Sequence, residues 1–241
     1  MYAFIRHGQT DWNRDDLLQG SSDIPLNAVG RQQAFEVAEL LAGTPWMRVV
    51  SSPLARAAET ARIIADELGI PYGPSYEGLT ERDYGSLEGS SAQATAISHP
   101  DREYPGAESL ASVAARGQAA LDRIAADYPV DSPLANPGAG LAADGSIAAG
   151  STTDIVEGAG EGGGVVIVSH GTLIRETLAA LARRPVESIH NGSMSTVRRV
   201  HGTWIVETVN GEPVTRLTGE RLAHERLSDP GTEGTTSTSR E

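Results

Sequence analysis

A chain of 241 residues, 39% hydrophobic and 21% charged, is long enough for one sizeable α/β domain, and its apolar runs are far too short to cross a bilayer. Cysteine is absent, which removes disulfides, thiolate nucleophiles and cysteine metal sites. All 19 basic residues are arginines, set against 32 acidic residues for a net charge of −13. That field disfavours nucleic acid or an anionic membrane as the main partner, and an anionic ligand would need a local arginine cluster.

In chain order, Tyr2-Ala3-Phe4-Ile5-Arg6 reads as a first strand. The opening residues lack the basic start, long apolar stretch and cleavage site of a secretory signal, so a cytoplasmic location is the expectation. Asn27 can cap a helix running to about Leu41, with Val37, Leu40 and Leu41 on one face and Gly43 as terminator. Residues 47–51 read as a second strand, and residues 54–68 as a helix closed by Gly69. Glu108 or Ser109 can cap a further helix through Leu110, Val113, Leu121 and Ile124, although Gly117 lowers its helix propensity. Residues 165–169 form an apolar run suited to a strand buried on both faces, followed by a helix over residues 172–181. Residues 195–200 and 203–209, separated by His201-Gly202, resemble a hairpin at the sheet edge.

This alternation predicts an α/β fold with a mostly parallel central sheet and helices on both faces. One domain is expected over residues 1–227. Within it, about 130–164 is rich in Gly, Ala, Ser, Asp and Pro and reads as an inserted loop; residues 228–241 read as a disordered tail.

Histidines and arginines fall where strands end. Arg6-His7-Gly8 follows the first strand, Ser51-Ser52-Pro53-Leu54-Ala55-Arg56 the second, and Ser169-His170-Gly171 the buried later one. Ligands in open α/β sheets bind at the carboxyl ends of strands, so two histidines and two arginines can converge there. Other features carry less. Asp11, Asp15, Asp16 and Asp23 lack calcium-loop spacing and read as solvated charge. His99, His190, His201 and His224 lack paired zinc spacing, and the glycine run 160–164 precedes a strand, whereas phosphate-cradling loops follow one. Neither a metal nor a cofactor is called for.

The segment Arg6-His7-Gly8-Gln9-Thr10-Asp11-Trp12-Asn13 resembles the nucleophile motif of the histidine phosphatase superfamily, which includes cofactor-dependent phosphoglycerate mutases. The resemblance continues through Leu18-Gln19-Gly20, Ile24-Pro25-Leu26-Asn27, Ser51 to Ala57 with Glu59-Thr60-Ala61, Leu79-Thr80-Glu81-Arg82-Asp83-Tyr84-Gly85, Glu108-Ser109-Leu110, and Val168-Ser169-His170-Gly171 with Ile174-Arg175. It implies a phosphoglycerate mutase-like fold and a nucleophilic His7 that becomes phosphorylated. It further implies phosphate contacts from Arg6, Arg56 and His170, and Glu81 as general acid and then base. Asn13, Gln19, Gly20, Tyr84, Gly171 and Thr172 complete the implied substrate-binding set. Glu108 is either part of the pocket wall or a helix cap.

The implied activity is metal-independent hydrolysis of a small phosphorylated metabolite. A phosphoglycerate mutase is the first alternative, but family mutases grip the substrate's second anion with a lysine and further basic residues. This chain has no lysine, leaving Arg102 or Arg116 as substitutes. The second alternative is an inactive phosphate-binding regulatory module, against which stands the presence of His7, Arg6, Arg56, Glu81 and His170 together. The substrate and the oligomeric state are left open by the sequence.

Overall fold

A computed structural model describes residues 1–130 and 163–214 of the chain. The expected tail at 228–241, and all but the ends of the expected insertion at 130–164, lie outside these residues. At those ends Val130 packs against the core and Gly164 begins a strand.

Six strands form the central sheet: β1 (Tyr2–Arg6), β2 (Trp46–Ser51), β3 (Tyr72–Ser75), β4 (Gly164–Ser169), β5 (Met194–Val200) and β6 (Thr203–Val206), ordered β3-β2-β4-β1-β5-β6. The first four in that order run parallel, and β5 and β6 are antiparallel additions, with β6 at the edge. The fold is thus α/β with a mostly parallel sheet, as expected.

Strand alternation divides the core in two. Ala3 and Ile5 of β1 and Val166 and Val168 of β4 face α2 (Ala28–Leu41) and α3 (Ala55–Leu68). Tyr2, Phe4, Val165 and Ile167 face the opposite way, against α5 (Leu110–Asp127) and α6 (Gly171–Ala182). A strand covered on both faces needs apolar residues at every position, and every residue of β4 is buried. Two shorter helices, α1 (Asp11–Arg14) and α4 (Ala92–Ser98), lie in the loops above the sheet. Among the described residues no helix is long and apolar enough to cross a membrane.

Asn27 caps α2 by accepting from the Gly30 amide, and Gly69 closes α3 in the left-handed region. On α2 the buried stripe is Gly30, Ala34, Val37, Ala38 and Leu41, whereas Leu40 is 62% exposed. At 100° per residue Leu40 falls outside the arc centred on Ala34, Val37 and Leu41, so its assignment to the core face is corrected. The cap of α2 falls on Ala42, with Gly43 one residue beyond it at positive φ.

Strand β2 starts one residue before the expected position, at Trp46, and α6 starts at Gly171 rather than Thr172. The hairpin after β5 turns at His201-Gly202, but its second strand does not run to Val209. β6 ends at Val206, and β7 (Thr208–Val209) pairs with β8 (Glu212–Pro213) in a separate ribbon. Gly117 sits inside α5 because the helix crosses α6 closely there: a Cβ would lie 2.0 Å from Thr177 Oγ1.

One close approach fixes the loop that follows β1. A Cβ on Gly8 would meet the Gly30 carbonyl oxygen at 2.2 Å, and one on Gly30 would meet the Gln9 carbonyl oxygen at 2.1 Å. Both obstacles are backbone, which cannot rotate aside. Gly30→Ala should therefore destabilise the fold by about 1–3 kcal/mol despite alanine's better helix propensity. Chemical denaturation checks this; unchanged or increased stability would show that the backbones can separate at little cost.

Candidate active site

Sheet order brings the three critical strand ends side by side. β4 lies between β2 and β1, with Arg6 opposite Ser169 and Ser51 opposite Val168. The chain leaving β1 enters His7, that leaving β2 leads through Ser52 to Arg56 on α3, and that leaving β4 enters His170, the N-cap of α6. Above them lies a cavity of about 310 Å³.

His7 is 2% exposed, and its Nδ1 lies 2.7 Å from the Gly8 carbonyl oxygen. A carbonyl only accepts, so Nδ1 carries the proton and Nε2 keeps its lone pair. Arg56 donates Nε–H toward that Nε2 at 3.3 Å. Burial, followed by the positive charges of Arg56 and Arg6, holds the His7 pKa well below 6.5. The side chain is therefore a neutral imidazole whose Nε2 electron pair, unprotonated, accepts from Arg56.

Arg56 is fully buried and donates from Nη1 to the Ser22 carbonyl and from Nη2 to the Gly20 carbonyl, both at 2.8 Å. Its near neighbour in sequence, Glu59, instead pairs with Arg31. Arg6 donates to the Ile189 carbonyl at 2.7 Å, and its buried Nε has no partner among the described residues. Burial works against both guanidinium charges, and Glu81 is the largest opposing influence on each.

His170 lies behind His7, their ring centroids 5.1 Å apart, rather than on the cavity wall. Its Nε2 is 2.8 Å from Ser52 Oγ, while its buried Nδ1 has no partner among the described residues. Burial and the charge of Arg56 hold its pKa well below 6.5 as well. Below the ordinary histidine value of 6.5, the unfolded chain binds protons that the two buried imidazoles refuse, so stability falls as pH falls. Each adds a slope of up to about 1.4 kcal/mol per pH unit between its unfolded and folded values, and nothing above that window. His170→Gln should flatten the loss of thermal stability between about pH 6.5 and 5; an unchanged slope would mean that His170 does not contribute.

Glu81 stands on the cavity wall with both oxygens engaged. Oε1 accepts from the Arg82 amide at 2.8 Å and the Leu173 amide at 3.1 Å, and Oε2 from the Thr172 amide at 3.1 Å. The carboxylate thus satisfies orphan donors at the start of α6, where negative charge is also favoured by the helix dipole. Behind it, Glu108 clamps Arg116 through Nε and Nη2 at 2.9 Å each, and Arg116 donates to the Thr80 and Glu81 carbonyls. Glu108 is therefore neither helix cap, which is Ser109, nor cavity wall. It braces the Glu81 loop through Arg116, which leaves Arg116 no role as a second anion grip.

Asn13, Gln19, Gly20, Tyr84, Gly171 and Thr172 also line the cavity. The Thr10 amide donates to Asn13 Oδ1 and the Thr10 hydroxyl to Gln19 Oε1, orienting both side-chain amides. The Tyr84 hydroxyl lies 2.7 Å from Thr172 Oγ1, and burial beside Glu81 pushes its pKa up to about 12, keeping it protonated. Among the wall residues that escaped the sequence reading as site members are Asn191, which donates from Nδ2 to the His7 carbonyl and to Asn13 Oδ1, and Arg175 on α6.

The acidic stretch is not uniformly solvated. Asp11 and Asp15 pair with Arg14, but Asp23 accepts from the Ala55 amide at the start of α3, and Asp16 accepts from the Gln93 amide and reaches the cavity. No group of three or more His, Asp or Glu among the described residues is arranged to hold a metal ion.

An α/β sheet that gathers a buried histidine and arginines at its strand ends is suited to an anionic ligand. The profile described as histidine phosphatase superfamily (branch 1) matches residues 2–135, and the chain belongs to that superfamily. A Bacillus subtilis protein, uncharacterized phosphatase PhoE, is 39% identical over 127 residues; the match covers 53% of this chain and 65%, just under two thirds, of that protein. Phosphoglycerate mutase-like protein 4 of Arabidopsis thaliana is 31% identical over 219 residues, covering 84% of this chain and 81% of its own. Among solved structures, a mycobacterial glucosyl-3-phosphoglycerate phosphatase complexed with VO3 aligns with a TM-score of 0.68 and 25% identity, over 87% of this chain and 98% of that one.

Proposed function

We propose that the protein is a phosphatase that hydrolyses small-molecule phosphomonoesters through a phosphohistidine at His7, drawing its charge stabilisation from arginines rather than from a metal. The observation that carries this reading is the state of His7: Nδ1–H is fixed on the Gly8 carbonyl, Nε2 is unprotonated, and the ring is held neutral at the base of the arginine-bearing cavity. Membership of the superfamily and the likeness to a named phosphatase support it.

In the first step the Nε2 lone pair attacks phosphorus, the P–O ester bond breaks, and the leaving oxygen takes a proton from Glu81. Arg6 and Arg56 face the charge that spreads over the phosphoryl oxygens. In the second step water attacks phosphohistidine and gives its proton to Glu81, and phosphate leaves with His7 restored. The substrate class is a small phosphorylated metabolite, in keeping with a cavity of about 310 Å³.

Release of inorganic phosphate from a panel of phosphomonoesters, run beside an assay for 3-phosphoglycerate isomerisation, tests the reading. Phosphate release is expected, undiminished in chelator. Isomerisation without release would make the protein a mutase, inactivity in both would make it a binding module, and a strict metal requirement would overturn the mechanism.

A further inference from the structure

Arg175 is the basic side chain of the cavity that the phosphoryl chemistry does not use. It is only 9% exposed, yet lines the cavity. Its Nε is neutralised by Glu176 at 2.7 Å, while its buried Nη2 has no partner among the described residues. A buried guanidinium edge without an acceptor is costly, and a ligand anion would relieve it. Glu176 is itself approached by Arg102 at 3.9 Å, so this carboxylate is shared and does not cancel the local positive charge.

Its setting differs from that of His7, which has Arg56 Nε against its ring at 3.3 Å, whereas Arg175 is carried by α6. Arg175 follows Thr172 by three residues on α6, which puts it on the same helix face one turn beyond the Tyr84–Thr172 contact. With Nε committed, the end formed by Nη1 and Nη2 is left, a geometry that matches the two oxygens of one planar carboxylate. A second phosphate dianion would meet Asp16 and Glu81 on the same walls.

Resting on the reading of this cavity as a phosphoester site, we infer that Arg175 binds a carboxylate of the substrate and so selects phosphorylated carboxylic acids over neutral phosphorylated alcohols and sugars. The test is calorimetric binding to the full chain of two non-hydrolysable phosphonates, 4-phosphonobutanoate and butylphosphonate, which differ in the carboxylate. The wild-type protein should bind the first at least about tenfold more tightly. Arg175→Gln should erase that preference by weakening the carboxylate ligand alone, and Arg175→Lys should keep part of it. Equal binding of both phosphonates by the wild-type protein overturns the inference, even if Arg175→Gln does not fold. Equal weakening of both by Arg175→Gln, with the protein still folded, overturns it as well, by placing Arg175 in phosphate binding. Because neither ligand can be hydrolysed, the outcome is independent of turnover: failure to release phosphate from the ester panel would sink the hydrolase reading and leave the binding result standing.

Discussion

Replacing His7 with alanine is expected to lower kcat for phosphomonoester hydrolysis by at least about a thousandfold. Nothing else near the reacting centre offers an equivalent electron pair. His170 is the nearest imidazole, but its Nε2 is tied to Ser52 and its ring lies behind the cavity wall. The arginines cannot act as nucleophiles, and Glu81 is held by three backbone amides. Since Arg6 and Arg56 keep their backbone anchors without His7, KM should change far less than kcat. A second readout isolates the covalent step: alkaline quenching of wild-type turnover should trap a phosphoprotein that is labile to acid, absent from His7→Ala. Full turnover by that variant, or a trapped phosphoryl group on another residue, would sink the mechanism.

How far the sequence carried this site depends on how locally each part is encoded. Arg6, His7 and His170 immediately follow strongly apolar runs, and Arg56 follows the second strand by a short turn, so strand patterning placed all four near one sheet edge. The order β2-β4-β1, which makes those ends adjacent, is a tertiary property that residue spacing does not carry. Asn191 was missed because its contact with the His7 carbonyl spans 184 positions and its loop has no periodic signal. Arg175 did have one: its three-residue separation from Thr172 puts both on one helix face.

The fold shows the same division. The interior strands were legible from their apolar residues. β3, with glycine and proline at its centre, gave no strand signal, because an edge strand tolerates residues that an interior strand does not. Helix α4 has one buried residue, Thr95, so no apolar stripe announces it. In α5 the lesson reverses: Gly117 lowers intrinsic propensity, but the close crossing with α6 that it permits is part of the core.

Glu81 presents the sharper mechanistic choice, because its carboxylate can serve two purposes. It lines the cavity as the proposed acid, and it holds the Thr172 and Leu173 amides at the start of α6. Glu81→Gln removes the transferable proton and also sets an amide nitrogen against one of those backbone donors, at a cost of about 1–3 kcal/mol. Loss of activity alone therefore cannot distinguish proton transfer from misplacement of α6. Leaving-group dependence does. An alkyl phosphate expels a strongly basic alkoxide that needs the proton, so its kcat should fall by about 10²–10⁴-fold. With p-nitrophenyl phosphate the departing phenolate is already stable, and the same substitution should have a much smaller effect on the first step. Burst kinetics are the required measurement, since Glu81 also serves the second step as base. Equal losses of the first-step rate for both esters would remove Glu81 from proton transfer and leave it as the residue that positions α6.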